Sequence, residues 1–230
     1  MNDPVRDLEG WTVAFDLDGT LVETAPDLIG TLNRMLTTRG HPSVPVSAAR
    51  HLVGHGALSL LRHGFEEAGA AWDEAAAPVL LAEFLIDYRA HIADHSRAYP
   101  GLVAALEAIS ARGATLCVAT NKPTGLSDAL IDALHLTRHF AAVAGADSVS
   151  ARKPDGAHIR EAVLRAGGDP ARAIMVGDSA TDTAAARATG VACIVVSFGY
   201  TEIAPADLGG QALIDRFDQL EAAVTALTGR

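Results

Sequence analysis

Residues 11–20 read WTVAFDLDGT, an apolar run followed by two aspartates, a glycine and a threonine. The first five residues are apolar and β-prone, so they predict a buried strand. Asp16 is the first residue past this strand, where the backbone ladder still fixes its direction, and Asp18 follows two residues later. Residues i and i+2 of an extended chain point the same way, so both carboxylates are expected to face one site.

Further apolar segments predict the rest of a sheet. Candidate strands lie at residues 114–119, 141–144, 173–176 and 191–196, with a weaker one at 212–214. Helical patterns separate them at residues 102–111, 124–134, 155–166 and 181–189. Short apolar strands that alternate with helices are typical of an α/β fold, a doubly wound parallel sheet with helices on both faces.

One long stretch, from about residue 25 to 98, breaks this alternation. It contains no convincing strand, and its periodicity predicts helices near residues 26–38, 47–52, 57–68 and 73–91. So much helix is far more than a crossover between two strands requires. The sequence therefore predicts a helical domain of residues 22–98 inserted into a core made of residues 1–21 and 99–230.

Polar residues follow the predicted strands at the same edge of the sheet, where open parallel sheets bind their ligands. These residues are Thr120, Asn121, Lys122, Lys153, Asp178, Ser179 and Asp182. Asp178 suits an oxygen-rich Mg²⁺ site, and Asp182, one helical turn further on, suits the orientation of metal-bound water. The Thr120 hydroxyl is a donor for an oxyanion.

Composition limits the class of protein. Of 230 residues, 49% are hydrophobic and 20% charged, which excludes a disordered chain. The formal net charge of −10 argues against nucleic-acid or membrane partners. The N-terminal segment of residues 1–7 is polar and acidic, so we expect a cytoplasmic protein, either a monomer or a homodimer. Cys117 and Cys193 lie in apolar runs and are expected to be buried free thiols.

Lysine is scarce in this chain, which has 18 basic residues but only two lysines, Lys122 and Lys153. Arginine fills every other basic position, so these two positions are candidates for sites that need the compact ammonium of lysine rather than the planar guanidinium of arginine. An anionic ligand of so acidic a protein needs positive charge supplied locally. We expect Lys153 to bind such an anion and Lys122 only to border the site.

Several motifs together resemble those of the haloacid dehalogenase superfamily. Residues 15–22, FDLDGTLV, look like its first motif, Thr120 the second, Lys153 the third and residues 177–182, GDSATD, the fourth. The helical insertion is similar to the α-helical cap of the superfamily. Residues 21–28, 53–57 and 120–123 resemble its phosphoglycolate phosphatase branch, which usually has aspartate at the position of Glu23 and often asparagine at that of His55.

This resemblance implies a mechanism and a set of site residues. Asp16 would attack phosphorus and form an aspartyl-phosphate, and Asp18 would act as general acid and then general base. Mg²⁺ would be held by Asp16, Asp178 and the backbone carbonyl of Asp18. Thr120, Asn121 and Lys153 would bind the substrate phosphate, with Ser179 and Asp182 in supporting positions. The implied substrate is a small phosphorylated metabolite, with 2-phosphoglycolate the leading candidate.

The cap loop Gly54-His55-Gly56 has two readings. Its glycines are able to expose backbone N–H groups at a helix start to a substrate carboxylate, with His55 as a further contact. Alternatively, it only connects two helices. The sequence leaves both open.

Parts of the sequence are compatible with functions other than that of a phosphatase. Dehalogenases and phosphonatases typically lack the second acid, whereas this chain has Asp18 and no lysine in its cap. A phosphomutase shares the whole core, and pyrophosphate or another small phosphorylated metabolite is an alternative substrate. Gly177-Asp178-Ser179 alone would fit a serine esterase, but Asp132 and His135 precede it. The histidine pairs 51/55, 91/95 and 135/139 would suit a metal-binding regulatory module, with no evident third ligand.

Overall fold

Eight strands were assigned in the computed structural model, which describes residues 6–229 and only the backbone of His55. They are β1 (Thr12–Phe15), β2 (Val22–Glu23), β3 (Arg97–Ala98), β4 (Thr115–Ala119), β5 (Ala142–Ala144), β6 (Ala173–Gly177), β7 (Ala192–Val196) and β8 (Ala212–Ile214). Six of them form one parallel sheet in the order β5-β4-β1-β6-β7-β8. The predicted α/β fold is confirmed, including the weak strand at residues 212–214.

Helices cover both faces of this sheet. In chain order the helices are α1 (Ala25–Thr38), α2 (Val46–Ala49), α3 (Ala57–Glu67), α4 (Ala77–Ala90), α5 (Leu102–Ala111), α6 (Thr124–Ala133), α7 (Gly156–Arg165), α8 (Ala180–Thr189) and α9 (Leu220–Thr228). None of them, in the part of the chain that the structure describes, is long and apolar enough to cross a bilayer.

Side chains of the strands alternate between two apolar cores. Val13 and Phe15 pack with residues of α5 and α9, whereas Ala14 packs with residues of α7 and α8 on the opposite face. Both cysteines lie in the second core as buried free thiols, which confirms their prediction. Because the central strands β1, β4, β6 and β7 are covered on both sides, their apolar residues are continuous rather than alternating with polar ones.

The insertion has an apolar core of its own. It is formed mainly by residues of α1, α3 and α4, among them Leu32, Leu61 and Phe84. The predicted helix at residues 47–52 is in fact the short α2 followed by a 3₁₀ turn, Arg50–His55. The helix predicted from residue 73 begins at Ala77, because Pro78 suits only the first turn of a helix.

A two-residue ribbon joins the insertion to the sheet domain. β2 pairs antiparallel with β3 where the chain leaves and returns, so the expectation of no strand up to residue 98 is wrong at its end.

The helix α9 was not predicted either. The division into a core of residues 1–21 and 99–230 and a cap of residues 22–98 stays a prediction. Residues 1–5 of the polar N-terminal segment lie outside the described residues.

Acid is expected to destabilise the protein through a buried histidine. His158 lies in α7 with its Nε2 3.1 Å from the carbonyl oxygen of Ala144, and its Nδ1 is buried without a partner. A carbonyl only accepts, so Nε2 carries the proton of a neutral ring. Burial, reinforced by the charge of Lys153, lowers the pKa of His158 to about 4. The unfolded chain therefore binds a proton that the folded chain does not between about pH 6.5 and 4, and stability falls as the pH falls through this window.

We expect the free energy of unfolding of the wild type to drop by about 2 kcal/mol more than that of His158→Gln between pH 7 and pH 5. Urea unfolding at both pH values measures this difference. Parallel pH profiles of the two proteins would contradict a neutral, buried His158.

Candidate active site

The residues singled out at the strand ends meet around Asp16. The backbone N–H of Asp16 donates to the carbonyl of Val176 at 2.9 Å, so strand pairing fixes its position between the ends of β4 and β6. Its Oδ1 lies 2.9 Å from Nζ of Lys153. Within the described residues, one group of three potential metal ligands was found, Asp16, Asp178 and Asp182, whose ligand atoms lie within 4.8 Å of one another.

Asp178 is held rigidly at the end of β6. Its Oδ1 accepts from Thr20 Oγ1 at 2.8 Å, and its Oδ2 accepts from the backbone N–H of Tyr200 at 2.7 Å. Gly19 has a φ of +82°, and a Cβ there would lie 2.6 Å from Asp178 Oδ2. Only glycine combines that conformation with so close an approach of the chain to the carboxylate.

The donor set fits a divalent cation. Burial raises the pKa of the Asp178 carboxyl, and the neighbouring Asp182 and Asp16 raise it further. Burial also raises the pKa of Asp16, against the opposing effect of Lys153. Oδ1 of Asp16 is buried and, apart from the Lys153 ammonium at 2.9 Å, has no polar partner among the described residues. Divalent ions such as Mg²⁺ prefer carboxylate oxygens as ligands. A cation here would also relieve the repulsion between the carboxylates and use the remaining lone pair of Asp16.

Asp182 binds the ammonium of Lys153 with one carboxylate oxygen and Ser179, at the start of α8, with the other. Its Oδ1 lies 2.6 Å from Nζ of Lys153, and its Oδ2 accepts from Ser179 Oγ at 2.6 Å and from the backbone N–H of Ser179 at 3.1 Å. Ser179 and Asp182 thus form a capping box at the N-terminus of α8. Both oxygens of Asp182 have protein partners, so its predicted contact with metal-bound water stays a prediction.

Asn121 braces the backbone of Lys153. Its Nδ2 donates to the carbonyl of Lys153, and its Oδ1 accepts from the N–H of Lys153, both at 2.9 Å. The side-chain amide is therefore engaged with protein, and the predicted phosphate contact of Asn121 stays a prediction. Thr120 Oγ1 accepts from the backbone N–H of Lys122 at 3.2 Å, which leaves its hydroxyl proton for a ligand.

Lys122 does not merely border the site, so that expectation is wrong. Its Nζ lies 3.0 and 3.1 Å from the two carboxylate oxygens of Asp18, and it donates to the hydroxyl of Tyr88 at 2.9 Å. The ammonium also lies 4.4 Å from the centroid of the Tyr88 ring. Burial would lower the pKa of Lys122, but the charge of Asp18 and the Tyr88 phenol more than offset it and raise that pKa.

A cavity of about 100 Å³ lies between the sheet edge and the helical insertion. Its floor carries the polar groups, including Asp16, Asp18 and Thr120, and its roof is mainly apolar. The roof residues are Leu28, Val53, Ala57, Leu60, Phe84, Leu85 and Tyr88. Gly54 and Gly56 also line the cavity, so the cap loop reaches it, whereas the side chain of His55 lies outside the described residues. Such a roof excludes water from a small ligand.

Tyr200 connects the entry of the insertion with Asp178, a link for which the sequence carried no signal. Its hydroxyl donates to Glu23 Oε1 at 2.6 Å and accepts from the backbone N–H groups of Thr24 and Ala25. Its own backbone N–H donates to Asp178. Arg50 of the insertion lies 2.5 Å from Glu23 Oε2, so Glu23 contacts both the insertion and Tyr200.

Comparisons with known proteins agree with this geometry. The model of the haloacid dehalogenase-like hydrolase family matches residues 13–196. The phosphoglycolate phosphatase of Caulobacter vibrioides is 49% identical over 225 residues, 97% of this chain and 95% of that protein. That of Mesorhizobium japonicum is 42% identical over 208 residues, 90% of this chain and 92% of that protein.

A solved structure from Haemophilus somnus, described as that of a predicted phosphoglycolate phosphatase, resembles the whole fold. Its TM-score is 0.85 at 27% identity, and the match covers 94% of this chain and 98% of that one. Sheet order, site geometry, family match and curated relatives therefore lead to one conclusion: the chain belongs to the haloacid dehalogenase-like hydrolase family.

Proposed function

We propose that this protein is a Mg²⁺-dependent phosphatase whose preferred substrate is 2-phosphoglycolate. The observation that carries the proposal is the Asp16 carboxylate, which lies between Lys153 and Asp178 and lines a small cavity, with Asp18 two residues away. The names of the curated relatives at 49% and 42% identity support the choice of substrate.

In the first step, an oxygen of Asp16 attacks phosphorus, and the bond from phosphorus to the alkoxide oxygen of the substrate breaks. The proton of the Asp18 carboxyl goes to that oxygen, so the alcohol leaves neutral and Asp16 carries the phosphoryl group. Lys153 and the Thr120 hydroxyl bind phosphoryl oxygens as charge and hydrogen-bond donors. The apolar roof keeps bulk water away during this step.

In the second step, the Asp18 carboxylate takes a proton from a water molecule, whose oxygen attacks the phosphorus of the aspartyl-phosphate. The acyl phosphate bond breaks, phosphate leaves, and both aspartates return to their starting forms. Asp182 and Asn121 act on Lys153 throughout, because they fix its ammonium and its backbone respectively.

Asp16, Asp178 and the backbone carbonyl of Asp18 would hold the magnesium ion. When bound, it would offset the negative charge of the phosphoryl oxygens. Oxygen ligands of this kind are typical of Mg²⁺, and the mutual repulsion of the buried aspartates supports a cation at this position.

Asp178→Asn is expected to raise the Mg²⁺ concentration for half-maximal activity at least about tenfold. Asparagine keeps the shape of the side chain but lacks the negative charge that binds the cation. Asp182→Asn is the matched control. Its oxygens contact Lys153 and Ser179, so it should lower kcat and change the Mg²⁺ requirement less than about threefold. Titration of chelator-treated enzyme with Mg²⁺ measures both. A larger shift for Asp182→Asn than for Asp178→Asn would contradict the assignment.

A panel of kcat/KM values tests the substrate. We expect 2-phosphoglycolate to exceed p-nitrophenyl phosphate by at least about a hundredfold, although the aryl ester has the better leaving group. The panel includes pyrophosphate, phosphonoacetaldehyde and β-glucose 1-phosphate. A preference for pyrophosphate, or formation of glucose 6-phosphate, would replace the proposal by the pyrophosphatase or the phosphomutase alternative.

A further inference from the structure

One cation in the cavity has no task in the chemistry proposed above. Among the described side chains that line the cavity, Lys122 is the one lysine or arginine. Its side chain is 4% exposed. A buried ammonium is costly unless its charge is compensated. Lys153 and Thr120 are the proposed donors to the phosphoryl oxygens, so Lys122 is available to a second anionic group.

The position of Lys122 defines where that group would be. Its Nζ lies 3.0 Å from Asp18 Oδ1, and Asp18 is the proposed proton donor to the leaving oxygen. A cation in contact with this carboxylate is close to whatever the substrate carries next to the leaving oxygen. In a 2-phosphorylated hydroxy acid, the carboxyl carbon is two bonds from that oxygen, so its carboxylate would reach the ammonium.

Tyr88 offers a second donor at the same place. Its hydroxyl oxygen accepts from Lys122 at 2.9 Å, which leaves its own O–H proton for a ligand. Burial raises the pKa of Tyr88 to about 12, so that proton stays in place at neutral pH. The other side chains of the roof, such as Leu28, Leu60 and Phe84, are apolar and offer no competing side-chain donor.

We infer that Lys122 and Tyr88 bind the carboxylate of the substrate and thereby select phosphomonoesters whose leaving oxygen is on the carbon next to a carboxylate. The inference rests on the proposed function and names its specificity determinants. A donor pair that includes a buried ammonium discriminates strongly, because an uncharged analogue leaves that ammonium without the second anion. The cavity of about 100 Å³ restricts the carbon skeleton to a few atoms.

The test compares 2-phosphoglycolate with its amide, 2-phosphoglycolamide, which keeps the size and removes the charge. In the wild type, kcat/KM is expected to favour the carboxylate by about a hundredfold or more. Lys122→Met is expected to reduce this ratio to within about threefold of one. Tyr88→Phe is expected to reduce it about tenfold, mainly through KM. Lys122→Gln serves as a second neutral variant, and melting curves establish that each variant is folded.

The ratio of kcat/KM for the carboxylate and the amide distinguishes two roles of Lys122, recognition of the substrate carboxylate and positioning of Asp18. If Lys122 only positioned Asp18, Lys122→Met would slow both substrates equally and leave the ratio at its wild-type value, which would overturn the inference alone. Equal wild-type rates for carboxylate and amide would overturn both the inference and 2-phosphoglycolate as preferred substrate. Binding of 2-phosphoglycolate to Asp16→Asn, measured by calorimetry with and without Lys122→Met, gives a readout without turnover. A loss of affinity of less than about threefold would also overturn the inference.

Discussion

Asp16→Asn is expected to lower kcat by at least about 10⁴-fold, because an amide is a poor nucleophile and the variant loses a charge next to the proposed metal. The substitution keeps the shape of the side chain. Burial, with a further contribution from Asp182, raises the pKa of Asp16 by more than Lys153 lowers it, so removal of this charge should not lower the melting temperature. Steady-state rates and thermal melts of a preparation free of deamidation measure both effects.

Asp155→Asn is a matched control for this prediction. Asp155 caps the N-terminus of α7, where asparagine is an equally good capping residue, and it is exposed. Its activity should stay within about twofold of the wild type. Substantial turnover by verified Asp16→Asn would exclude the covalent mechanism.

Lys153→Arg is expected to lower kcat/KM at least about a hundredfold, and Lys153→Met at least about a thousandfold. Nζ of Lys153 lies 2.9 Å from Asp16 and 2.6 Å from Asp182, and the side chain is 1% exposed. A guanidinium is larger and planar, so it would push these carboxylates apart. The methionine variant loses the charge as well.

The control is the opposite substitution, arginine to lysine, at the neighbouring residue Arg152. Arg152 is exposed, so Arg152→Lys should leave kcat/KM within about twofold of the wild type. A nearly normal Lys153→Arg enzyme would show that any cation suffices there. The argument from the scarcity of lysine would then fail for this residue.

Periodicity and turn chemistry predicted most of the sheet domain. The strand before Asp16 and the four main strands after it were located within a residue or two, because buried strands of a parallel sheet are continuous apolar runs. The ribbon of β2 and β3 was missed, since two residues carry no periodic signal. The start of α4 was misplaced at residue 73, where alanine-rich sequence resembles helix on both sides of the true start.

The candidate site divides in a similar way. Asp16 and Asp178 could be located because each directly follows a strand, and parallel strands bring their carboxyl ends to one edge. Lys122 was singled out by its rarity but placed wrongly, because its contact depends on how far α4 approaches the sheet. Asn121 lines the cavity, as a ligand-binding residue would, but sequence spacing gave no sign that its amide braces Lys153. The spacing of residues in the sequence does not show whether a polar side chain binds a ligand or another group of the protein.

The sequence by itself determined the sheet, the helical insertion and the set of carboxylates at one edge, because these follow from local periodicity and from the geometry of parallel strands. The tertiary structure alone decided which distant elements meet: Tyr88 with Lys122 at the cavity, and Tyr200 with Glu23 and Asp178 beside it. Tyr88 lies 34 residues from Lys122, and Tyr200 lies 177 residues from Glu23 and 22 residues from Asp178. Such pairs form only when the packing of one apolar core against another sets the distance between their elements, and local sequence does not encode that distance.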